Sequence, residues 1–165
     1  MAAGGRVAAH LAGLGRALPE AVTPLGSYVS ALVVGDTLHL SGHGPLRVGG
    51  KPKFVGHVGA EFGEAEAGEI LVGAALNALA SAERELGDLD RIVTVSEAHA
   101  IVACASPDVD LEAVAAPAFG LLADLFGPLG SRRITRVGSL PNGVPSLFEF
   151  VAGVTAGPAE EVHSR

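Results

Sequence analysis

The sequence predicts an α+β fold, a mixed β-sheet with two helices packed on one face. Three observations carry that expectation. Alternating, β-branched runs flank a Gly-Asp pair near residue 35, and helix-length segments alternate with strand-like runs in the second half. The resulting order is helix, hairpin, loop, helix, strand, helix, strand, strand, which layers helices on a sheet. A length of 165 residues suits one domain, taken as 1–165, with 1–27 forming an N-terminal helix and an extended lead-in.

The elements follow in order. VAAHLAGLGRAL reads as a short helix, and LPEAVTPLG as an extended connector, because each proline biases its predecessor away from helical angles. SYVSALVV and TLHLSGH make a hairpin across Gly35-Asp36. The Gly- and Pro-rich stretch 44–62 reads as loop with short strands. From Glu64 to Gly87 the pattern is helical: carboxylates crowd the start, where the macrodipole favours them, and Gly87 ends it. Leu71, Ala75, Ala78, Ala82 and Leu86 share its core face. RIVTVSEAHAIVACA is a strand broken at Ser106-Pro107-Asp108, and the next helix begins near Asp110 with Pro117 implying a kink or a later start. RRITRVG and SLFEFVAGVT are the last two strands.

Composition restricts partners. The formal charge of -7 disfavours general attraction to nucleic acid or anionic lipid, so an anion must be bound locally. No apolar run reaches the roughly 20 residues of a membrane span. Cys104 is the single cysteine, which excludes an internal disulfide and fits a reducing, cytoplasmic setting. Small Ala, Val and Gly side chains supply most of the packing, which favours close helix-sheet approach and an oligomer.

Against this acidic background Arg132, Arg133 and Arg136 stand within five positions. On a strand Arg132, Ile134 and Arg136 share one face, and Arg133, Thr135 and Val137 the other. Read alone, such a run is a solvated face whose ion pairs contribute about 0–1 kcal/mol each. His39 and His43, four apart on a strand, share a face but stand roughly 13 Å apart, too far to bind one metal alone. Glu97 and His99 read as a solvated strand face, and Cys104 as a buried, inert thiol.

GSYVSALVVGDTLHLSGHGP, ALNALASAERELGDLDRIVTV and LFGPLGSRRITRVGSLP resemble the Rid/YjgF family of reactive-intermediate deaminases, in its chorismate-mutase-like branch. The likeness runs from about Leu14 to Val154. It implies a homotrimer around a central barrel, ligand clefts between subunits, and hydrolysis of enamines or imines to a 2-keto acid and ammonia without metal or organic cofactor. By the same resemblance Arg132, eight positions before Leu140, clamps a substrate carboxylate. A guanidinium suits that task because it makes two parallel hydrogen bonds. Arg133 is the substitute if the preceding loop is shorter than in the family.

Tyr28 would line the cleft, and Gly42 would let backbone approach the ligand. His43 stands where the family has Gln, offering a titratable hydrogen-bonding side chain, and Ile134 stands where a small polar residue or Cys is usual. Glu149 is the acid-base candidate, its apolar FEF setting suiting a raised pKa. The pattern departs from the family at Leu147, in the place of a first glutamate, and near Ala115, in the place of an asparagine. Three other readings stay open: a non-catalytic small-ligand-binding trimer, a specialised-metabolism enzyme that reuses the same intersubunit cleft, and a ribonuclease, which the acidity disfavours.

Overall fold

The structure, a computed structural model, describes residues 5–24 and 26–157. The chain ends of the expected 1–165 domain and Leu25 in the expected lead-in lie outside the described residues. Helix α1 (Arg6–Gly13) is followed by strands β1 (Ala31–Val34) and β2 (Thr37–Leu40), joined through Gly35 at φ 62°. Positive φ at the turn is the reason a glycine stands there. The hairpin is shorter than SYVSALVV suggested: Ser27–Tyr28 lie in bends, and the Tyr28 ring packs back near Gly26. A two-stranded ribbon, β3 (Arg47–Val48) and β4 (Lys51–Pro52), sits in the predicted loop.

Helix α2 (Glu64–Leu86) ends at Gly87, whose φ of 80° is the left-handed cap a glycine adopts without strain. All five residues assigned to its core face are buried. Strand β5 (Ile92–Ala103) leads to α3 (Leu111–Phe126), which Asp110 caps by accepting from the Ala113 amide at 3.1 Å. Pro117 does not delay the start of α3. It lies inside the helix and packs on α2, where a Cβ at Gly68 would meet Pro117 Cγ at 3.2 Å. Strands β6 (Ser131–Val137) and β7 (Ser146–Val154) complete the chain.

The five-stranded sheet has the order β1-β2-β7-β5-β6, antiparallel except for the parallel β5/β6 pair. Period-two alternation decides its faces. Leu38, Ala98, Ala100, Val102, Phe148 and Phe150 point to α2 and α3 and are essentially inaccessible. Leu32, Leu147, Glu149, Val151, Glu97, His99, Arg133 and Thr135 point to the other face, which no element among the described residues covers. Leu32 and Val34 remain 49% and 58% exposed on this open face. No described helix is long and apolar enough to cross a membrane.

Candidate functional site

A cavity of about 160 Å³ opens where β2 ends, with Pro24, Tyr28, Gly42, Arg47, Asn142 and Leu147 in its wall. Its floor is fixed by hydrogen bonds rather than by continued strand. The Ser41 hydroxyl donates to Val29 O at 2.6 Å, His43 and Phe148 exchange two backbone bonds of 2.8 Å, and Asn77 Nδ2 donates to Gly44 O at 2.9 Å. These bonds tie segment 41–44 to β7 and α2, so Gly42 is held on rigid elements. A Cβ at Gly42 would stand 3.5 Å from Leu147 Cδ1 and 3.6 Å from Glu149 Oε2. The bare glycine therefore leaves room beside that carboxylate oxygen.

Tyr28 is 53% exposed at the cavity rim. His43, expected as a ligand-binding side chain, lines the same cavity but engages both ring nitrogens within the protein. The strand stops at Leu40, and the imidazole turns into the core against α2, on the other side from exposed His39. Its Nδ1 lies 2.6 Å from Ser41 O and its Nε2 2.8 Å from Ser81 Oγ. A carbonyl only accepts, so Nδ1–H donates to it and Nε2 accepts from the serine hydroxyl. Both nitrogens are occupied, and neither is offered to a ligand.

Burial, ahead of the opposing Ser41 hydrogen bond, holds the His43 pKa below the ordinary value of 6.5. Above that value the ring is neutral folded or unfolded and adds no pH dependence. Below it the unfolded chain binds the extra proton. Stability should then fall as pH drops, by at most about 1.4 kcal/mol per pH unit, until the folded pKa is passed. Urea unfolding from about pH 7.5 to 5 should show a flatter slope in His43→Gln. An unchanged slope would remove His43 as its source.

The arginine run alternates as its strand requires. Arg132, Ile134 and Arg136 lie on the helix-packed side of β6, in register with Ala98, Ala100 and Val102. Arg132 stacks 5.2 Å from the Phe119 ring centroid, sits 3.6 Å from Glu112 and is half-exposed in a shallow groove between α3 and β6. Ile134 packs against the core, and Ala115 is fully buried in α3, so neither lines the Tyr28 cavity. Arg136 donates to Ser106 O and Val109 O at 2.7 and 2.9 Å, a structural clamp on the loop before α3. Arg133 lies on the open face and pairs with Glu97. Within one chain, then, Tyr28 and Gly42 share a cavity wall and Glu149 lies next to Gly42, while Arg132 stands in a separate groove on the opposite side of the sheet.

Glu149 is not set in the apolar surroundings that FEF suggested. Phe148 and Phe150 point to the helices, so the carboxylate stands among polar groups on the open face. Its Oε1 lies 2.9 Å from His99 Nδ1, and His99 Nε2 lies 2.8 Å from Thr135 Oγ1. Sequence reasoning placed His99 on a solvated face with Glu97 and missed this link, and it missed Arg47. The alternating Glu97-Ala98-His99 and Phe148-Glu149-Phe150 patterns were the available signals, but pairing them requires the β5/β7 register.

Cys104 is half-buried, its thiol pKa raised by desolvation and its Sγ 3.7 Å from Val102 O. That favours an unreactive thiol. Among the described residues no group of three His, Cys, Asp or Glu could hold a metal ion.

No protein-family model matches this chain. Protein TCP17 of Trypanosoma cruzi is 36% identical over 126 residues, covering 76% of this chain and 78% of that protein. A Shewanella oneidensis protein described as a candidate endoribonuclease superposes with a TM-score of 0.84 at 25% identity, over 91% of this chain and all of that one. RidA from the Antarctic bacterium Psychrobacter sp. shares the fold at a TM-score of 0.53 and 24% identity, over 82% of this chain and 94% of that one. At 36% identity over 76% of its length the chain belongs to one family with Protein TCP17, and its mixed sheet with two helices on one face is the fold of the YjgF/RidA/L-PSP proteins.

Proposed function

We propose that the protein is a cofactor-free hydrolase of small imines or enamines carrying a carboxylate, acting at a cleft shared between subunits of a homotrimer. The observation that carries this reading is the cavity that joins Tyr28 and Gly42, with Glu149 Oε2 next to Gly42. Arg132, half-exposed on the edge strand β6, would leave its Glu112 partner to enter the corresponding cavity of a neighbouring copy. The uncovered sheet face with exposed Leu32 and Val34 supplies the apolar surface for such an assembly.

In the reaction Arg132 holds the substrate carboxylate through two hydrogen bonds. Water oxygen adds to the carbon of the protonated C=N group as Glu149 takes a water proton. Glu149 returns that proton to the carbinolamine nitrogen, which leaves as ammonia, and the hydroxyl gives up its proton to the departing ammonia or solvent as the added oxygen becomes the keto oxygen. An enamine reaches the same iminium ion by taking a proton at carbon. A cytoplasmic setting suits short-lived imines and the lone thiol.

Leu147 in the cavity wall favours one second reading, a trimer that binds a small carboxylate without turning it over, because the resemblance puts a glutamate there. Ribonuclease action is disfavoured by the charge of -7. Supplying 2-iminopropanoate or 2-iminobutanoate from an enzymatic source and following keto-acid release separates these. Acceleration over the spontaneous rate is expected. Its absence, with the same imino acids' stable carboxylate analogues still bound, would replace catalysis by binding. Sedimentation should give a trimer, and a monomer would sink the shared cleft.

A further inference from the structure

The Thr135, His99 and Glu149 side chains form a continuous hydrogen-bonded chain across three adjacent strands, β6, β5 and β7. We propose that His99 and Thr135 are positioning residues for Glu149, fixing one carboxylate oxygen so that the other is left free beside the cavity. This rests on the hydrolase reading for what the free oxygen does, though not for the existence of the unit.

The polarity of the chain follows from which groups can donate. An ionised carboxylate only accepts, so His99 Nδ1–H donates to Glu149 Oε1. With a single proton on the ring, Nε2 carries a lone pair and accepts the Thr135 hydroxyl. Thr135 in this way favours the tautomer that binds Glu149. His99 and Glu149 are directly opposite across the β5/β7 ladder, a position that brings side chains together. His99 is the more enclosed of the pair, its side chain 15% exposed against 33% for Glu149. The carboxylate is thus anchored from its less accessible side.

The other end of Glu149 lies next to a residue of the cavity wall. Oε2 stands 3.6 Å from the point a Cβ would occupy on Gly42, itself a wall residue with Leu147. A carboxylate free to rotate would divide its time between this oxygen's position and others. One held through Oε1 presents Oε2 in a single place. The neighbouring charges on the same face have their own partner, since Glu97 pairs with Arg133. His39, exposed on β2 beside Val151, makes no described contact with His99. The Thr135 hydroxyl is engaged by His99 Nε2 at 2.8 Å. Positioning, not nucleophilic catalysis, is the role its surroundings permit.

Two measurements test this. Ring ¹⁵N shifts of His99 should report the Nδ1–H tautomer in the wild type and a change to Nε2–H in Glu149→Leu, where only the Thr135 oxygen remains to receive a ring proton. With 2-iminopropanoate as substrate, His99→Ala should lower kcat about 10- to 100-fold, the size of effect misplacement of a reacting group produces, with KM little changed. His99→Gln, whose amide can still donate to Oε1, should recover most of that loss, and Thr135→Val should cost less than His99→Ala. An Nε2–H ring in the wild type, or kcat unchanged in His99→Ala, overturns the inference. The Nδ1–H tautomer in a wild type that hydrolyses no imine supports the anchored carboxylate and overturns only the hydrolase reading.

Discussion

Arg132→Ala is expected to lower kcat/KM for 2-iminopropanoate hydrolysis about 100- to 1000-fold, corresponding to about 2.7–4 kcal/mol of lost transition-state binding. A carboxylate gripped by a guanidinium makes two charge-assisted bonds at once, and alanine removes both. Arg132→Lys keeps the charge without the planar fork and should recover only part of the loss. The substitution should leave the fold standing. The ion pair with Glu112 is 3.6 Å long between half-exposed groups, and the stacking on Phe119 is the one other contact at stake. Together these account for about 1 kcal/mol of stability, so thermal unfolding should shift by only a few degrees. Arg133→Ala provides the contrast, because Arg133 lies on the open face against Glu97. Equal rates for wild type and Arg132→Ala would remove Arg132 from the mechanism, and a loss confined to Arg133→Ala would move the clamp to the other face.

The extent to which these residues were legible depended on the range of the interactions that place them. Helix α2 could be read to within a residue because its signals are local: carboxylates in the first turn and a glycine that takes φ 80° after the last. The two faces of β6 were equally legible, since alternation along one strand needs no partner. What lay on those faces was not. His99 meets Glu149 across 50 residues of sequence and Thr135 across 36. The β5/β7 register shifts between Ile92 and Thr94 and again between Val95 and Glu97, so counting along the strands does not pair them.

His43 shows the opposite failure. Its position after a strand was read as continuing that strand's period. Yet Ser41 turns back to bond Ser30 and Val29, and the ring finds Ser81 on α2. A buried polar partner on another element overrode the local pattern. The same applies to Glu149, where FEF read as apolar surroundings although alternation sends both phenylalanines to the opposite face.

Gly130→Ala is expected to destabilise the protein by about 2–3 kcal/mol and to lower kcat/KM about tenfold, although the residue carries no functional group and makes no contact with the cavity. The reason is backbone crowding. A Cβ at Gly130 would overlap the Ser96 carbonyl and lie 3.0 Å from its carbon. Ser96 cannot readily yield: its hydroxyl donates to Val151 O at 3.0 Å, and the Gly130 amide itself donates to Val95 O at 2.9 Å. The methyl must therefore push apart β5 and the start of β6, an edge strand that pairs with β5 alone. That junction sets which residues of Ser131–Val137 face the helices, so opening it displaces Arg132 from its place over Phe119 before it disturbs the buried Phe148 or Leu122. Urea unfolding measures the first effect. Steady-state kinetics, run well below the melting temperature so that the variant is folded, measures the second. Wild-type kinetics in a destabilised Gly130→Ala would mean that β6 finds its register without this close approach, and that the placement of Arg132 is fixed by α3 instead.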